Sequence, residues 1–389
     1  MTYKKLFVYI LFLGFVLSFT TCQIVSSKKT ATKGRYNVVA YVAGYRNFDF
    51  SSINASCLTH INFAFVNIKN GEVVFDTTKI DGKTLTPNDL SKLNSLKKVN
   101  PYLQILASAG GWSWSGGFSD AALTPESRKK FAESCVRLVQ QYKLDGIDLD
   151  WEYPNQPGAG NTFRPEDVHN FTLMLKAIRD ELDQKAKADG YDKHYLLTIA
   201  TGADQTYIQN TELGQLQAYV DFINIMTYDF YNGWHKTTGH HSNFMPSANP
   251  ELDQNSVVNA IDLHLKAGVP AGKINLGIPF YGRKWEGVTP SGDNVLFQKA
   301  ETVGMGIDYV NFAGDIDRNG YKYYWDDTAK APYLWNAEKQ IFISYEDAKS
   351  IQYKMEYLKN MGLAGVMFWE YCADRNNELQ KAIYQGLEK

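Results

Sequence analysis

Three acidic residues at alternate positions are the most informative chemical feature of the sequence. Asp148, Asp150 and Glu152 lie in the segment Asp145-Gly-Ile-Asp-Leu-Asp-Trp-Glu-Tyr-Pro154. If this segment forms a β-strand, alternate side chains point to the same face. Carboxyl groups crowded on one buried face raise one another's pKa, which can give a general acid that remains protonated near neutral pH. The spacing therefore predicts acid–base catalysis, with Glu152 at the end of the row as the proton donor.

Two other roles fit a cluster of acidic residues. Aspartate and glutamate side chains are the ligands that calcium and magnesium prefer. They can also be structural, paired with lysines, although carboxyl groups directed into a protein interior are costly when left unpaired. Catalysis is the favoured interpretation, and no metal ion or cofactor is predicted.

Aromatic and polar residues recur at the ends of other short apolar runs. They are Tyr41, the segment Ser108-Ala-Gly-Gly-Trp112, the segment Met226-Thr-Tyr228-Asp229 with Trp234 further along, the segment Tyr281-Gly-Arg283, and Trp369. Each has an ordinary alternative, because aromatic residues at strand ends usually belong to the core, Arg283 can be an ion-pair partner, and paired glycines can permit a tight turn. Their recurrence beside the acidic row favours contact with a ligand.

Alternating strands and helices must position these residues. The predicted strands are 38–43, 60–66, 103–109, 146–152, 196–201, 222–228, 274–280 and 365–369. The predicted helices are 124–142, 164–188, 254–267, 344–362 and 376–387. Parallel strands alternating with helices predict an α/β fold, a (β/α)8 TIM barrel, whose catalytic face lies at the carboxyl ends of the strands.

The interval from 281 to 344 interrupts this alternation. It has many aromatic residues and glycines but no clear helix, and we expect a small α+β subdomain at about 284–342, inserted between strands seven and eight. Within it, Asp315 to Asp326 nearly satisfies the calcium-loop pattern. That loop requires a glutamate at its last position and flanking helices, so a turn is the favoured interpretation and calcium the alternative. His240 and His241, which are adjacent to each other in the sequence, also lack metal-ligand spacing and are expected in a loop near the cleft.

The bulk composition limits the classes of partner. The net charge is −2, and aromatic residues make up 14% of the chain. A near-neutral surface argues against a nucleic-acid partner, whereas aromatic side chains suit flat, uncharged ligands such as sugar rings. We expect a monomer.

The first 22 residues have the pattern of an export signal. Lys4 and Lys5 precede an apolar run, 6–19, that is short for a membrane span, and Cys22 follows it. A cysteine at this point is typical of bacterial lipoproteins, although the preceding Phe-Thr-Thr also fits ordinary secretion. Residues 23–36 are expected to be a tether and 37–389 the catalytic domain, with no transmembrane span. The protein is therefore predicted to be secreted, periplasmic or at the cell surface, with lipid attachment through Cys22 as one possibility. Cys57, Cys135 and Cys372 are not expected to form important disulfides.

The acidic segment resembles the D-x-x-D-x-D-x-E signature of family 18 glycoside hydrolases. The segments that end at Trp112, Asp229 and Arg283, together with Trp369 and Tyr41, are similar to further motifs of that family in the same order, over nearly the whole mature chain. The resemblance implies a chitinase that acts on chitin or chitooligosaccharides. It also implies a retaining mechanism in which the substrate's own acetamido group is the nucleophile.

Family roles follow residue by residue from the resemblance. Glu152 is the acid/base, Asp150 orients the acetamide N–H, Asp148 shares a proton with Asp150, and Tyr228 bonds to the acetamido oxygen. The remaining positions contact the sugar chain: Tyr41, Trp112, Met226, Asp229, Trp234, Tyr281, Arg283 and Trp369.

Two alternatives keep the same acidic row. One is an endo-β-N-acetylglucosaminidase acting on N-glycans, in which the Tyr228-Asp229 and Tyr281–Arg283 elements and the inserted subdomain are not expected. The other is a non-catalytic chitin-binding lectin, which usually lacks the terminal acid that Glu152 supplies here.

Overall fold

The computed structural model describes residues 35–388, apart from residues 78, 81–82, 85, 191–192 and 248–254. The predicted signal peptide, Cys22 and all but the last two residues of the predicted tether lie outside the described residues. The (β/α)8 barrel, in contrast, lies largely within them.

Eight parallel strands close into a barrel. They are β1 (Asn37–Ala43), β2 (His60–Lys69), β3 (Gln104–Gly110), β4 (Gly146–Asp150), β5 (Leu196–Thr201), β6 (Phe222–Ile225), β7 (Ile274–Pro279) and β8 (Gly365–Trp369). Each strand pairs with its sequence neighbour, and β1 pairs with both β2 and β8, which closes the ring. The predicted TIM barrel is confirmed.

Two predicted strands end earlier than expected. Strand β4 stops at Asp150 instead of residue 152, and β6 stops at Ile225 instead of residue 228. At both places the backbone N–H groups no longer bond to the neighbouring strand. The N–H of Glu152 donates to Ser115 Oγ at 2.9 Å, and the N–H of Thr227 donates to the Ile225 carbonyl at 2.9 Å. The residues predicted to do chemistry therefore lie just beyond the strands, at the catalytic face.

Helices surround the barrel. They are α1 (Pro87–Ser95), α2 (Phe118–Ala122), α3 (Pro125–Tyr142), α4 (Asp167–Asp189), α5 (Gln205–Gln209), α6 (Leu213–Leu216), α7 (Val257–Lys266), α8 (Ala348–Met361) and α9 (Glu378–Glu388). Helix α3 begins as its sequence predicts, with Pro125 in the first turn and the Thr124 hydroxyl accepting the N–H of Ser127 at 3.1 Å. Apolar residues of β4, including Ile147 and Leu149, face outward into the core between barrel and helices.

The insertion between β7 and β8 is an antiparallel sheet. Its strands are Tyr281–Trp285, Met305–Asp308, Tyr321–Asp326, Ala331–Asn336 and Ile341–Ser344. Helical structure between 284 and 342 is limited to the 3-10 turns Tyr309–Asn311 and Ala313–Asp315, so the expected α+β subdomain is here mainly β. The sheet also begins earlier than predicted, at Tyr281. The segment Tyr281–Arg283 therefore belongs to the insertion and not to the barrel.

Two further features concern the covalent and membrane state of the described residues. Cys57, Cys135 and Cys372 are free thiols. No helix in the described part of the chain is long and apolar enough to span a bilayer.

Candidate active site

The carboxylate of Asp148 is fully buried inside the barrel and accepts three hydroxyl hydrogen bonds. Ser108 on β3 and Thr198 on β5 flank Asp148 in register, at 2.7 Å to Oδ2 and 2.5 Å to Oδ1. The hydroxyl of Tyr41 reaches Oδ2 from β1 at 2.8 Å. Burial raises the pKa of Asp148, and the three hydroxyl groups oppose that rise. Asp148 is thus the member of the acidic row whose anion the protein stabilises best.

Asp150 and Glu152 continue the row toward the mouth of the barrel. The backbone here is fixed by Ser115, whose Oγ accepts the N–H of Glu152 at 2.9 Å and donates to the Asp150 carbonyl at 3.1 Å. Gly110 has φ +101°, and a Cβ there would lie 2.4 Å from the Asp150 carbonyl oxygen. The glycine therefore allows a close approach that any other residue would prevent, in addition to turning the chain.

The surroundings of the three carboxyl groups shift their pKa values to different extents. Burial, with the charges of Glu152 and Asp148, raises the pKa of Asp150 well above its usual range. Burial is also the main cause that raises the pKa of Glu152 to about 7, with a further contribution from Asp229. Glu152 is therefore protonated over much of the neutral range, as a general acid requires.

Asp229 belongs to a second charge cluster, which it forms with Arg283 and His241. Arg283 donates to both of its carboxylate oxygens, from Nε at 2.8 Å and from Nη2 at 2.5 Å. The Nδ1 atom of His241 lies 3.6 Å from Asp229 Oδ1. Burial alone would raise the pKa of Asp229, but His241 and Arg283 outweigh it and hold the pKa well below its usual range. Asp229 is thus a fixed anion beside the protonated Glu152.

Aromatic rings form the floor and the walls. Trp369 stacks on Phe65 with ring centroids 5.4 Å apart and lies 5.7 Å from Tyr41. Trp112 and Trp234 stand at the rim with 42% and 77% of their surface exposed. Rings this accessible on a folded domain provide stacking surface for a ligand without contributing much to the core.

These residues meet in one cleft of about 1440 Å³ at the carboxyl ends of the strands. Of the twelve predicted site residues, eleven line it: Tyr41, Trp112, Asp150, Glu152, Met226, Tyr228, Asp229, Trp234, Tyr281, Arg283 and Trp369. The twelfth, Asp148, lies beneath Asp150 with no exposed surface. The cleft has space for several linked sugar rings.

The sequence did not reveal three further cleft residues. Phe65 packs on the same inner cluster as Ala64, at the point where the β2–β3 register shifts between 64 and 66 and the strict alternation of faces is broken. Arg46 donates to Asp308 at 2.8 Å and to Glu370 at 3.0 Å, which ties the end of β1 to the insertion. Both depend on partners distant in the chain. Tyr153 also lines the cleft. It follows Glu152 directly in the sequence, and that position could have predicted its place in the site.

The residues that match the calcium-loop pattern are not arranged around one common position. Asp326, its last residue, lies at the far end of the strand Tyr321–Asp326, where it accepts the N–H groups of Thr328 and Ala329 and contacts His240 Nε2 at 3.1 Å. Within the described ranges, no group of three or more His, Cys, Asp or Glu side chains is arranged to hold a metal ion. The turn interpretation fits this geometry.

Comparison with known proteins places the chain in a family. A family model of the glycosyl hydrolases family 18 matches residues 37–374. The chain belongs to that family.

Three relatives illustrate the similarity. Chitinase A1 of Niallia circulans is 40% identical over 99% of this chain, and this chain spans 63% of its length. Chitinase B of Serratia marcescens is 34% identical, with 85% of this chain and 76% of the relative covered. A solved structure from Paenibacillus barengoltzii, of a glycoside hydrolase family 18 N-acetylglucosaminidase, is 44% identical to this chain, with a TM-score of 0.82. The match covers 90% of this chain and 100% of the Paenibacillus chain.

Proposed function

We propose that this chain is a chitinase, which hydrolyses β-1,4-linked N-acetylglucosamine polymers such as chitin or chitooligosaccharides. The observation that carries the proposal is Glu152, a carboxyl group with its pKa raised to about 7, at the head of a buried acidic row in a cleft lined with aromatic rings. The similarity to two chitinases supports the substrate class.

The first step transfers the proton of Glu152 to the glycosidic oxygen, and the bond from that oxygen to C1 breaks. The carbonyl oxygen of the substrate's 2-acetamido group forms the new bond to C1, giving an oxazolinium ion. Family 18 enzymes are an exception among retaining glycosidases in using the substrate as nucleophile. An intramolecular attack of this kind gains a large effective molarity when the group is held in line.

Asp150 is placed to assist that attack. Its Oδ1 atom is buried and has no hydrogen-bond partner among the described residues, so it can accept the acetamide N–H and stabilise the positive charge that develops there. Asp148 lies beneath it, and the two share a proton. Because three hydroxyl groups stabilise the Asp148 anion, that proton resides mainly on Asp150 before substrate binds, and it moves to Asp148 as the positive charge develops, which leaves Asp150 as the carboxylate.

The opposite wall holds the acetamido group and the ring. Tyr228 donates to the acetamido oxygen, and Asp229, fixed by Arg283, contacts the sugar or its acetamide. Trp369 packs beneath the distorted ring. Tyr41, Tyr281 and Met226 complete the enclosure, and Trp112 and Trp234 stack on sugar units further along the chain.

The second step returns the proton. Water attacks C1 from the side vacated by the leaving group and gives its proton to Glu152, and the bond from C1 to the acetamido oxygen breaks. Two inversions at C1 give overall retention. No step requires a metal ion or a cofactor.

The proposal is tested with three substrates: acetylated chitooligosaccharides, matched oligomers deacetylated at the unit that occupies the −1 position, and a high-mannose glycoprotein. Turnover of the first alone is expected. Rapid cleavage of the deacetylated oligomers would refute the acetamide as nucleophile. Release of the N-glycan would favour the endo-β-N-acetylglucosaminidase, and binding without any turnover would favour the lectin.

A second candidate is a β-N-acetylglucosaminidase that releases single sugar units. It is favoured by the 44% identity to the family 18 N-acetylglucosaminidase. The two activities differ in product size, since the proposed chitinase gives oligosaccharides early from a hexamer, whereas the second candidate gives the monosaccharide from the first turnover. Chromatography of the early products separates them.

We also propose that the protein is exported, on the basis of the charged and apolar pattern of residues 1–22. Lipoprotein processing at Cys22 and ordinary secretion both agree with that pattern. Palmitate labelling of the wild type and of Cys22→Ser in a bacterial host distinguishes them, because only lipoprotein processing gives a label that the substitution abolishes. Retention of the uncleaved chain in the cytoplasm would contradict export.

A further inference from the structure

Lys354 and Glu346 form an ion pair that is completely buried outside the cleft. Their side chains are 0% and 1% exposed. The ammonium group of Lys354, on α8, contacts the Glu346 carboxylate and donates to the carbonyl and the hydroxyl of Ser242, at 2.7 and 2.9 Å. The second carboxylate oxygen of Glu346 accepts the Ser350 hydroxyl at 2.7 Å. Every proton of the ammonium group therefore has an acceptor.

Stability alone is a weak explanation for this pair. Removing two charges from water costs several kcal/mol per ion, and well-packed apolar side chains are often as stabilising. Burial lowers the pKa of Lys354, and Glu346 opposes that effect, which is the signature of a charge kept in the interior by its partner. The groups that the pair holds in place, Ser242 among them, offer another explanation for its burial.

A continuous path leads from Lys354 to the candidate active site. The hydroxyl of Ser242 accepts from Lys354, so its own proton is free to be donated, and it bonds to the Thr227 carbonyl at 2.8 Å. That carbonyl belongs to the peptide group that joins Thr227 to Tyr228. The hydroxyl of Thr227 donates in turn to the Gly277 carbonyl on β7 at 2.6 Å.

The same ion pair also supports the surroundings of Asp229. The N–H of His241, the residue before Ser242, donates to Ser344 Oγ at 3.0 Å. Ser344 pairs directly with Arg283 in the antiparallel sheet. The segment held by Lys354 thus places His241 on one side of the Asp229 carboxylate while Arg283 binds it from another.

We propose that Lys354 and Glu346 are positioning residues, whose buried ion pair fixes the turn that carries Tyr228 and Asp229 through Ser242 and the Thr227 carbonyl. This inference rests on the proposed function. Neither residue lines the cleft, so both act indirectly, through the backbone that they hold and, for Glu346, also through its charge, which acts to raise the pKa of His241. Displacing that backbone would move the Tyr228 hydroxyl relative to the acetamido group and leave most sugar contacts in place.

The test uses Lys354→Met, the apolar double variant Lys354→Met/Glu346→Leu, and Ser242→Ala, which cuts the path but leaves the charges paired. The control is Lys97→Met. Lys97 forms a short but more exposed ion pair with Asp145, at 2.5 Å, before the start of β4 and away from the cleft. Each variant is assayed for kcat and KM on a soluble chitooligosaccharide, well below the Tm of the least stable variant.

Lys354→Met is expected to lower kcat by ~10- to 100-fold with little change in KM, because a misplacement of ~1 Å remote from the reacting atoms can cost ~10² in rate. Ser242→Ala removes one acceptor of the Lys354 ammonium group and the donor to the Thr227 carbonyl, and it is expected to lower kcat several-fold with a smaller loss of Tm than Lys354→Met. The double variant should regain Tm relative to Lys354→Met without regaining kcat. Lys97→Met should lower Tm and leave kcat unchanged.

Wild-type kcat in folded Lys354→Met or in Ser242→Ala would overturn the inference. Recovery of kcat together with Tm in the double variant would also overturn it, because it would show that the pair acts only on stability. Absence of hydrolysis by the wild type would instead refute the proposed function, so the two failures are distinguishable.

Discussion

Arg283 binds the carboxylate of Asp229 with two parallel hydrogen bonds, although Arg283 belongs to the inserted sheet and Asp229 follows barrel strand β6. Two-pronged pairs of this kind fix both the position and the orientation of a carboxylate. The insertion therefore completes one wall of the barrel site. The inserted sheet, through Arg283, thus acts together with His241 to keep Asp229 ionised.

Arg283→Met should change how stability depends on pH. The folded-state pKa of Asp229 lies below the value of ~3.9 for an unfolded aspartate, so its ionisation stabilises the fold above that pH and the stabilisation is lost as pH falls through the folded-state pKa. Without Arg283, burial is opposed by His241 alone and the pKa of Asp229 rises. The Tm difference between wild type and variant should be largest near neutral pH and should shrink toward pH ~3. Arg283→Lys, which keeps a cation, should be intermediate, and a Tm difference that stays constant with pH would contradict this account.

Glu152→Gln should lower kcat by at least the factor of ~10²–10⁴ that general acid catalysis contributes. The amide has nearly the same shape as the carboxyl group but cannot supply the proton, so the affinity for oligosaccharide should be preserved. Stopped assays of kcat, with calorimetry for binding, measure the two effects separately. Glu133→Gln, a change on the surface of α3, is the control and should leave both unchanged. Near-normal turnover by Glu152→Gln would refute its assignment as proton donor.

The activity should fall as pH rises above neutrality. Since the pKa of Glu152 is raised to about 7 mainly by burial, its protonated fraction decreases tenfold for each pH unit above that value. The profile of kcat/KM on chitooligosaccharides should show this alkaline limb. An aryl glycoside, whose leaving group needs less protonation, should show a weaker decline. A kcat/KM for chitooligosaccharides that rose between pH 7 and 9 would be incompatible with Glu152 as the acid.

Local patterns predicted the parts of the site that depend on one segment of chain. Strand periodicity places Asp148 and Asp150 on one side of β4, with Glu152 just beyond the end of the strand, and helix caps such as Thr124 are readable from adjacent residues. The buried ion pair of Lys354 and Glu346 was not predictable in this way, because its contacts include Ser242, 112 residues earlier in the chain than Lys354.

Register and strand assignment account for other differences. Phe65 lies in the cleft at the point where the register of β2 against β3 shifts, and no composition signal marks that shift. The segment Tyr281–Arg283 follows the apolar strand β7 directly, and its sequence cannot tell whether it extends the barrel or opens another sheet. The antiparallel pairing with Met305–Asp308 and Ile341–Ser344 decides that question.

The nucleophile is the central element of the proposed mechanism, and a series of fluorinated substrates tests it most directly. Chitooligosaccharides carrying acetyl, monofluoroacetyl, difluoroacetyl and trifluoroacetyl groups at the −1 unit differ in the electron density on the amide oxygen, with only a small difference in size. If that oxygen attacks C1, kcat/KM should fall progressively with each fluorine. A rate that is independent of fluorination would contradict the account, because it would require a nucleophile supplied by the protein.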